Sequence, residues 1–200
     1  MKKMIFLGCL VLFFSTIVSA QEKIGAPIWN VRDKWVFTRG NTMEIIDADQ
    51  NSYVAKISGG MFEKSNSTVI FEKSTLNRIY TLEGGKRKKY DWGRRRVLHF
   101  PLSKGKRWED TFWGLPIYNP DAPQIEMRCN EIFIVLGWED VAVQAGKFKA
   151  IEVEYVQHTG ARAGNAMFWY VPEAKYFVKC QIDKDYWKTG WDYESVSFKF

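Results

Sequence analysis

The sequence predicts an all-β fold, a single antiparallel, strongly curved meander that forms a barrel or half-barrel. Apolar and polar residues alternate along most of the chain, and these runs are rich in β-branched and aromatic residues. No segment keeps an apolar period of 3.6 residues, so long helices are not expected. A two-sheet β-sandwich is the alternative arrangement of the same strands.

The predicted strands are separated by turn residues such as Gly84-Gly85 and Ala145-Gly146. In the last strand the apolar residues change phase between Tyr193 and Phe198, which predicts a bulge or bend near Ser195. The predicted strands are Lys34–Arg39, Thr42–Asp47, Ser52–Ser58, Thr68–Lys73, Arg78–Glu83, Arg95–Phe100, Arg107–Trp113, Ile125–Leu136, Val141–Val143, Phe148–His158, Ala166–Val171, Lys175–Asp183 and Trp191–Phe200.

Length and composition fit one globular domain. The chain has 200 residues, of which 46% are hydrophobic and 16% aromatic, so it can bury a sizeable core and is not a disordered chain. The 9 Trp, 9 Tyr and 14 Phe far outnumber the 2 His and 3 Cys. A curved sheet without helices must fill its own concave side, and we expect most of the aromatic residues there.

The N-terminus has the pattern of a secretory signal peptide. A Lys-Lys pair precedes an uncharged apolar run from Met4 to Val18, and small residues end at Ala20. The run is shorter than the about 20 residues that span a bilayer. We predict a signal peptide over residues 1–20, cleavage after Ala20, a single all-β domain over residues 21–200, and a periplasmic or secreted location without a transmembrane segment. An uncleaved anchor and lipidation of Cys9 are weaker alternatives.

Charge and motifs exclude several classes of function. Cleavage removes two lysines, so the formal charge falls from +6 to +4, which is not the strongly basic surface of a nucleic-acid binder. The sequence contains no H-x-x-x-H, C-x-x-C or H-E-x-x-H spacing. We therefore expect no metal, no cofactor and no nucleic-acid partner.

Two cysteines remain after cleavage, Cys129 and Cys180. In MRCNEIFIV and YFVKCQI each cysteine alternates with apolar residues, so both thiols are predicted to face the core. An exported protein can form a disulfide between them. A disulfide and two small buried side chains are both open, because the sequence does not fix the distance between the Cα atoms.

Two features favour ligand binding. A run between residues 86 and 96 contains seven cations with interleaved aromatic residues, and Arg can hold phosphate or carboxylate. Trp side chains in or beside predicted loops could stack on sugars or enter lipid. A solvated hairpin without a ligand is the alternative for the basic run. The candidate ligand-binding residues are Lys86, Arg87, Lys88, Lys89, Trp92, Arg94, Arg95, Arg96, Trp113, Trp187 and Trp191.

Catalytic arrangements are sparse. The histidines are His99 and His158, and no G-x-S-x-G motif is present, so no catalytic residues are predicted. Glu152 and Glu154 share one face of a predicted strand about 7 Å apart, a spacing compatible with glycoside hydrolysis. A glycan hydrolase is therefore the weakest of the functional alternatives.

Three short segments from His99 onward resemble a known family. HFPLSKGKRW resembles its Pro-Leu run before a Gly-Lys-x-Trp turn, VAVQAGKFKAIEVEY resembles its Val-x-Val-Pro-Ala-Gly-x-Phe hairpin, and FWYVPEAKYFVK resembles its Trp-Tyr-x-Pro-Glu segment. The family comprises exported bacterial β-proteins with a domain of unknown function, including TapB-like proteins. Gln144 replaces the usual Pro. The resemblance covers roughly the C-terminal half and implies a barrel-like or half-barrel fold, with no defined activity.

The function expected from these features is binding of a lipid, a glycan or another envelope component by an exported, non-enzymatic protein. The alternative is an assembly factor of the envelope or of a surface appendage that acts through protein contacts. A long exposed edge strand would favour that alternative.

Overall fold

Twelve strands form one antiparallel sheet in the described part of the chain. The computed structural model describes residues 23–59, 67–87, 96–114, 127–159, 162–183 and 192–200. A 3-10 turn at Thr38–Gly40 is the helical element in these ranges. The strands are β1 (Lys34–Phe37), β2 (Thr42–Ala48), β3 (Ser52–Ser58), β4 (Ser67–Glu72), β5 (Arg78–Glu83), β6 (Lys86–Arg87), β7 (Arg107–Gly114), β8 (Met127–Val143), β9 (Gly146–Thr159), β10 (Arg162–Val171), β11 (Tyr176–Ile182) and β12 (Tyr193–Lys199).

The first strand lies in the middle of the sheet. Strands β1 to β6 lead stepwise to one edge, the chain then crosses to the other edge, and β7 to β12 return until β12 pairs with β1. The sheet is not closed into a barrel, because β6 and β7 are its two edges. The predicted all-β curved meander is thus confirmed in its open form, and the strands do not divide into the two sheets of a sandwich.

Core packing shows how strongly the sheet curves. Ala55 on β3 and Phe133 on β8 belong to one buried cluster, although six strands lie between them in the sheet. The sheet must therefore wrap around a common interior. Aromatic side chains fill much of this concave side, as expected, and Trp29, Trp35 and Tyr170 are among the largest fully buried residues.

One end of the curved sheet, here called the capped end, is closed by two irregular segments. The N-terminal segment of residues 23–33 is joined to the crossover of residues 96–106 through Ile24 and Leu102, which exchange backbone hydrogen bonds of 2.9 and 2.8 Å. Leu102 is fully buried, and Trp29 extends from the N-terminal segment into the core.

The crossover corrects one predicted strand. Residues 96–100 of the predicted strand Arg95–Phe100 are not part of the sheet. The side-chain amide of Asn77 instead accepts from the Leu98 N–H at 3.0 Å and donates to the Leu98 carbonyl at 2.8 Å. These two bonds satisfy the backbone of buried Leu98, which consequently needs no neighbouring strand.

Bulges explain two further features of the sheet. The predicted strands Ile125–Leu136 and Val141–Val143 are one strand, β8, which continues through a register shift between Val135 and Gly137. The bulge predicted near Ser195 is present, because Val36 pairs with Ser197 while Phe37 pairs with Ser195. The extra residue moves the apolar side chains of β12 to the core face on both sides of the bulge.

Cys129 and Cys180 are buried and are not joined by a disulfide. Strand by strand, Cys180 is in register with Phe168, Val153 and Val135. Val135 lies six residues from Cys129 along β8, so the cysteines are offset by about 20 Å along the strands as well as by three strand spacings. A disulfide needs Cα atoms within about 7 Å. Of the two alternatives, the structure has two buried thiols.

We predict that neither thiol reacts in the folded protein, because burial encloses both side chains and raises the pKa of the Cys180 thiol. Iodoacetamide followed by peptide mass mapping should label Cys129 and Cys180 only after denaturation, without prior reduction. If both peptides stay unlabelled in denaturant until a reductant is added, the cysteines are bonded.

We predict that Trp29→Ala lowers the free energy of unfolding by about 3–5 kcal/mol, because a fully packed indole leaves a large cavity. Urea unfolding followed by circular dichroism measures the loss. The matched control is Trp138→Ala, because Trp138 is 39% exposed and its removal should change stability by at most about 0.5 kcal/mol. Equal effects of the two substitutions would show that Trp29 has no special role in the core.

Candidate functional site

A groove of about 800 Å³ opens at the capped end. It lies where residues 26–28 of the N-terminal segment approach the β2–β3 turn and the β4–β5 turn. Its volume is within the range of sites for small molecules and lipid chains. The lining residues are Ala26, Pro27, Ile28, Gln50, Asn51, Ser52, Tyr53, Ile70, Glu72, Lys73, Ser74, Ile79 and Tyr80.

The groove joins an apolar wall to a polar margin. Pro27, Ile28, Ile70 and Ile79 supply apolar surface, and Ile28 is 74% exposed. An isolated exposed aliphatic residue is ordinary, but one inside a concave apolar site is available to a ligand.

Two cations stand over the aromatic rings of the groove. The ammonium of Lys73 lies 4.9 Å from the ring centroid of Tyr53, and the guanidinium of Arg87 lies 5.2 Å from that of Tyr80. These contacts hold positive charge at the groove margin. The Glu72 carboxylate, also in the lining, accepts a hydrogen bond from the Thr75 hydroxyl at 2.8 Å. The arrangement suits a ligand with an apolar portion and an anionic group.

The β2–β3 turn beside the groove is organised by Asp49. Its carboxylate accepts from the N–H groups of Asn51 and Ser52 at 2.7 and 2.6 Å and from the Ser52 hydroxyl at 2.7 Å. The Ser52 hydroxyl, the two N–H groups and nearby Lys73 lower the pKa of Asp49. This turn forms a polar rim of the groove, and the Asp49 carboxylate is already hydrogen-bonded within the turn.

The structure places only part of the predicted basic run. Lys86 and Arg87 form the exposed edge strand β6. The Arg87 guanidinium lies over the ring of Tyr80, which lines the groove. Arg96 lies against β7, where its guanidinium is 3.5 Å from Asp110 and donates to the Glu109 carbonyl at 3.3 Å. Arg96 thus fastens the crossover to β7.

Several predicted ligand-binding residues lie outside the described ranges or side chains. The backbone of Trp113 belongs to β7 and pairs with Arg128, while its side chain is outside the description. The binding roles of these residues stay predictions. The residues outside the described ranges are Lys88, Lys89, Trp92, Arg94, Arg95, Trp187 and Trp191.

The carboxylates considered for glycan hydrolysis lie on the convex face of β9. Glu152 is in register with Trp169, whose indole N–H donates to Glu139 at 2.6 Å. Partial burial, followed by repulsion from Glu139 and Glu154, raises the pKa of Glu152. Trp169 is 8% exposed and Lys179 lies 5.0 Å from its ring, so the indole offers no open face for a sugar.

His99 lies beside Trp108, with ring centroids 6.0 Å apart. Partial burial and the positive charges of Lys106 and Arg96 lower the pKa of His99. Lys106 donates to the carbonyl oxygens of His99 and Pro101, so these groups organise the crossover backbone.

The described residues offer neither a cluster of metal ligands nor a membrane-spanning helix. They contain no group of three or more His, Cys, Asp or Glu side chains that could hold a metal ion. They also contain no helix with the length and apolar character of a membrane span.

Two solved structures are similar to this chain. The hypothetical lipoprotein YmcC from Escherichia coli matches with a TM-score of 0.45 and 9% identity over 77% of this chain and 81% of that chain. A lipoprotein candidate from Parabacteroides distasonis matches with a TM-score of 0.38 and 12% identity over 88% of this chain and 97% of that chain. No family model and no curated protein matches the sequence. The resemblance to TapB-like proteins therefore stays a prediction.

Sequence reasoning missed most of the groove. Pro27 and Ile28 precede the first strand, and Lys73 and Tyr80 belong to different strands or turns that meet only in the folded sheet. The one local signal is the apolar run Ala26–Trp29, which lies outside any alternating segment. Of the predicted binding residues that the structure describes, Arg87 is the one whose guanidinium lies at the groove margin, over the ring of Tyr80.

We predict that Glu152→Gln raises the unfolding midpoint at pH 7 but not at pH 4. A carboxyl whose pKa is raised in the folded state binds its proton more tightly there than in the unfolded chain. Ionisation of Glu152 therefore lowers the free energy of unfolding as pH rises through the ordinary Glu range. Below that range this effect disappears. Thermal unfolding at both pH values measures the difference, and Glu173→Gln on an exposed turn is the control. A gain that is equal at both pH values contradicts the electrostatic explanation.

Proposed function

We propose that this protein is exported to the cell envelope and binds an amphipathic, anionic envelope component in the groove at the capped end. The signal-like residues 1–20 support export, with cleavage after Ala20 and a periplasmic or secreted location. The observation that carries the binding proposal is the groove with an aliphatic wall on one side and Lys73 and Arg87 at its margin. A lipid satisfies both parts of this site.

The chemistry of the two parts sets the orientation of the ligand. An acyl chain or other apolar portion lies against Pro27, Ile28 and Ile79, where burial of each methylene contributes about 0.8 kcal/mol. Its phosphate or carboxylate lies toward Lys73 and Arg87, since a guanidinium can bind two oxygens of one anion. An acidic glycan would use the cations but not the aliphatic wall.

The concave interior is a poorer site for such a ligand. Trp29, Trp35 and Leu102 are buried there, and the N-terminal segment and crossover cover it at the capped end. Binding at the groove requires no displacement of these core residues. We therefore place the ligand in the groove at the capped end and not in the concave interior of the sheet.

We predict that a short-chain phosphatidylglycerol binds the exported protein and that Ser74→Trp weakens binding by about tenfold or more, an energy that one filled subsite accounts for. Ser74 is exposed and lines the groove, so its replacement fills the site without touching the core. Lys73→Glu should selectively weaken binding of the anionic lipid relative to short-chain phosphatidylcholine. Isothermal titration below the micellar concentration measures each affinity.

The control is Ser197→Trp, an exposed site on β12 away from the groove. It should bind like the original protein. If neither lipid binds, or if Ser74→Trp and Ser197→Trp bind equally well, the groove is not the ligand site. Native mass spectrometry of protein purified from the periplasm should independently retain a lipid-sized ligand.

An assembly role is the second candidate, and the open sheet favours it. Among the described strands, β7 has a neighbour on one side only and is eight residues long, whereas the other edge strand has two residues. A partner strand could pair with β7 beyond the place where Arg96 covers Glu109. Pull-down from crosslinked cells with loss of capture after substitution in β7, together with no lipid binding, would support assembly over the groove.

A further inference from the structure

The N-terminal segment presents two different faces across the capped end. It begins at the Ile24–Leu102 bridge beside the crossover and reaches β2, where the Arg32 N–H donates to the Ile45 carbonyl at 2.7 Å and the Ile45 N–H donates to the Asp33 carbonyl at 2.9 Å. Its inward face contributes buried Trp29. Its outward face is exposed to solvent.

That outward face is apolar where a solvated turn would be polar. Ile28 is 74% exposed and Val31 is 48% exposed. Ile46 lies on β2 next to Ile45, to which Arg32 is bonded. Phe200 contacts the ring of Trp35, with centroids 5.8 Å apart. We call these four residues and the cations Arg32 and Lys199 the seam patch. They lie on the N-terminal segment, on β2 and at the end of β12, at the capped end of the sheet.

A strained turn displays part of the seam patch. The Asp33 N–H donates to the Asn30 carbonyl at 3.0 Å, and the Asp33 carboxylate accepts from the Asn30 N–H at 2.9 Å. Val31 and Arg32 occupy the tip of this turn, and Arg32 has a φ of 83°, which favours Gly or Asn. The chain thus holds Arg32 at the tip in a backbone conformation that favours glycine, as happens at functional sites.

Two cations without an ion pair in the described part of the chain accompany the apolar side chains, and one exposed carboxylate, Asp47, follows Ile46 on β2. Lys34 on β1 lies directly opposite Lys199 on β12, and like charges in register are unfavourable. Lys34 is compensated by Glu44 at 2.9 Å. Within the described residues Arg32 and Lys199 make no ion pair. Lys175 is paired with buried Asp33 at 2.9 Å and adds no net charge to the patch.

We propose that the seam patch docks this protein onto an anionic lipid bilayer. Exposed aliphatic and aromatic side chains enter the headgroup region, and the cations contact lipid phosphates. The 22 residues before Lys23, which include the apolar run from Met4 to Val18, join the structure at this same end.

Docking in this orientation goes beyond the proposed function, although the two share Ile28. The groove opens beside the seam patch, so a docked protein holds the groove mouth next to lipid headgroups. Membrane contact and groove binding remain separable, because Val31, Arg32, Ile46 and Lys199 are not in the groove lining.

Vesicle sedimentation tests the proposal with the protein recovered from cells after export. Vesicles of phosphatidylglycerol and phosphatidylcholine should bind the protein, and pure phosphatidylcholine vesicles should bind it more weakly. Val31→Ser combined with Ile46→Ser should reduce binding to both. Arg32→Gly combined with Lys199→Gln should weaken binding to the anionic vesicles by about fivefold per cation and make it less sensitive to salt.

The variant with Arg32→Gly and Lys199→Gln should fold normally, because Gly adopts the backbone conformation of Arg32 without strain. The matched control is Leu136→Ser, because Leu136 is 40% exposed and lies on β8 outside the seam patch. Its binding to vesicles should be unchanged. Ser74→Trp should lose short-chain lipid and keep vesicle binding, which separates the two proposals.

Three outcomes would overturn membrane docking. The protein could fail to bind anionic vesicles, the seam-patch variants could bind as well as the original protein, or Leu136→Ser could lose as much binding as the patch variants. A shift from dimer to monomer in the Val31→Ser, Ile46→Ser variant without vesicle binding would instead identify the patch as a contact between protein copies.

Discussion

Two indole N–H groups hold together the parts of the chain on which the fold depends. The Trp29 indole donates to the Lys175 carbonyl at 3.1 Å, and the Trp35 indole donates to the Ala174 carbonyl at 2.6 Å. Both acceptors lie in the β10–β11 turn, far along the chain from the donors. Because β1 has only four residues, its pairing with β12 alone is a short junction between the halves of the sheet. The hydrogen bonds from the two tryptophans to the buried turn at Ala174 strengthen this junction. Without them, each buried polar group left without a partner would cost about 1–3 kcal/mol.

The same interaction determines which side chains remain available for binding. Once Trp29 is fixed inside, the residues on either side of it are held at the rim, with Ile28 in the groove and Val31 on the turn. Asp33 completes the arrangement by pairing with Lys175, the residue whose carbonyl receives the Trp29 indole. A charge pair that is partly removed from water is stable only with well-placed hydrogen bonds, and Asn30 supplies one. The rim is therefore a rigid surface, which favours the pre-organised binding of a ligand or bilayer.

Residue alternation was sufficient to predict the local structure but not the long-range packing. It predicted the bulge of β12, because Tyr193 and Phe198 can share a buried face only if one residue is added between them. It also predicted that Cys129 and Cys180 are buried. It misassigned Arg95–Phe100, where Leu98 alternates like a strand residue but obtains its hydrogen bonds from the Asn77 side chain. No local pattern reveals such a partner. The groove was missed for the same reason, since Lys73 and Tyr80 meet Pro27 only after the sheet curves.

The architecture of the sheet explains the high aromatic content of the chain. In the part of the chain that the structure describes, no α-helix covers the open curved sheet, so side chains must fill the interior that backbone pairing leaves. Trp108 stacked on Phe133 at 5.1 Å, and Trp29 against Phe71 at 5.3 Å, fill it with side chains that bury large areas. Within the described residues these rings occupy the concave side of the sheet. We therefore propose that recognition uses the apolar surface where this core ends. At the capped end one short segment supplies both the core residue Trp29 and the exposed residues Ile28 and Val31, so the proposed binding surfaces follow from the way the fold is closed.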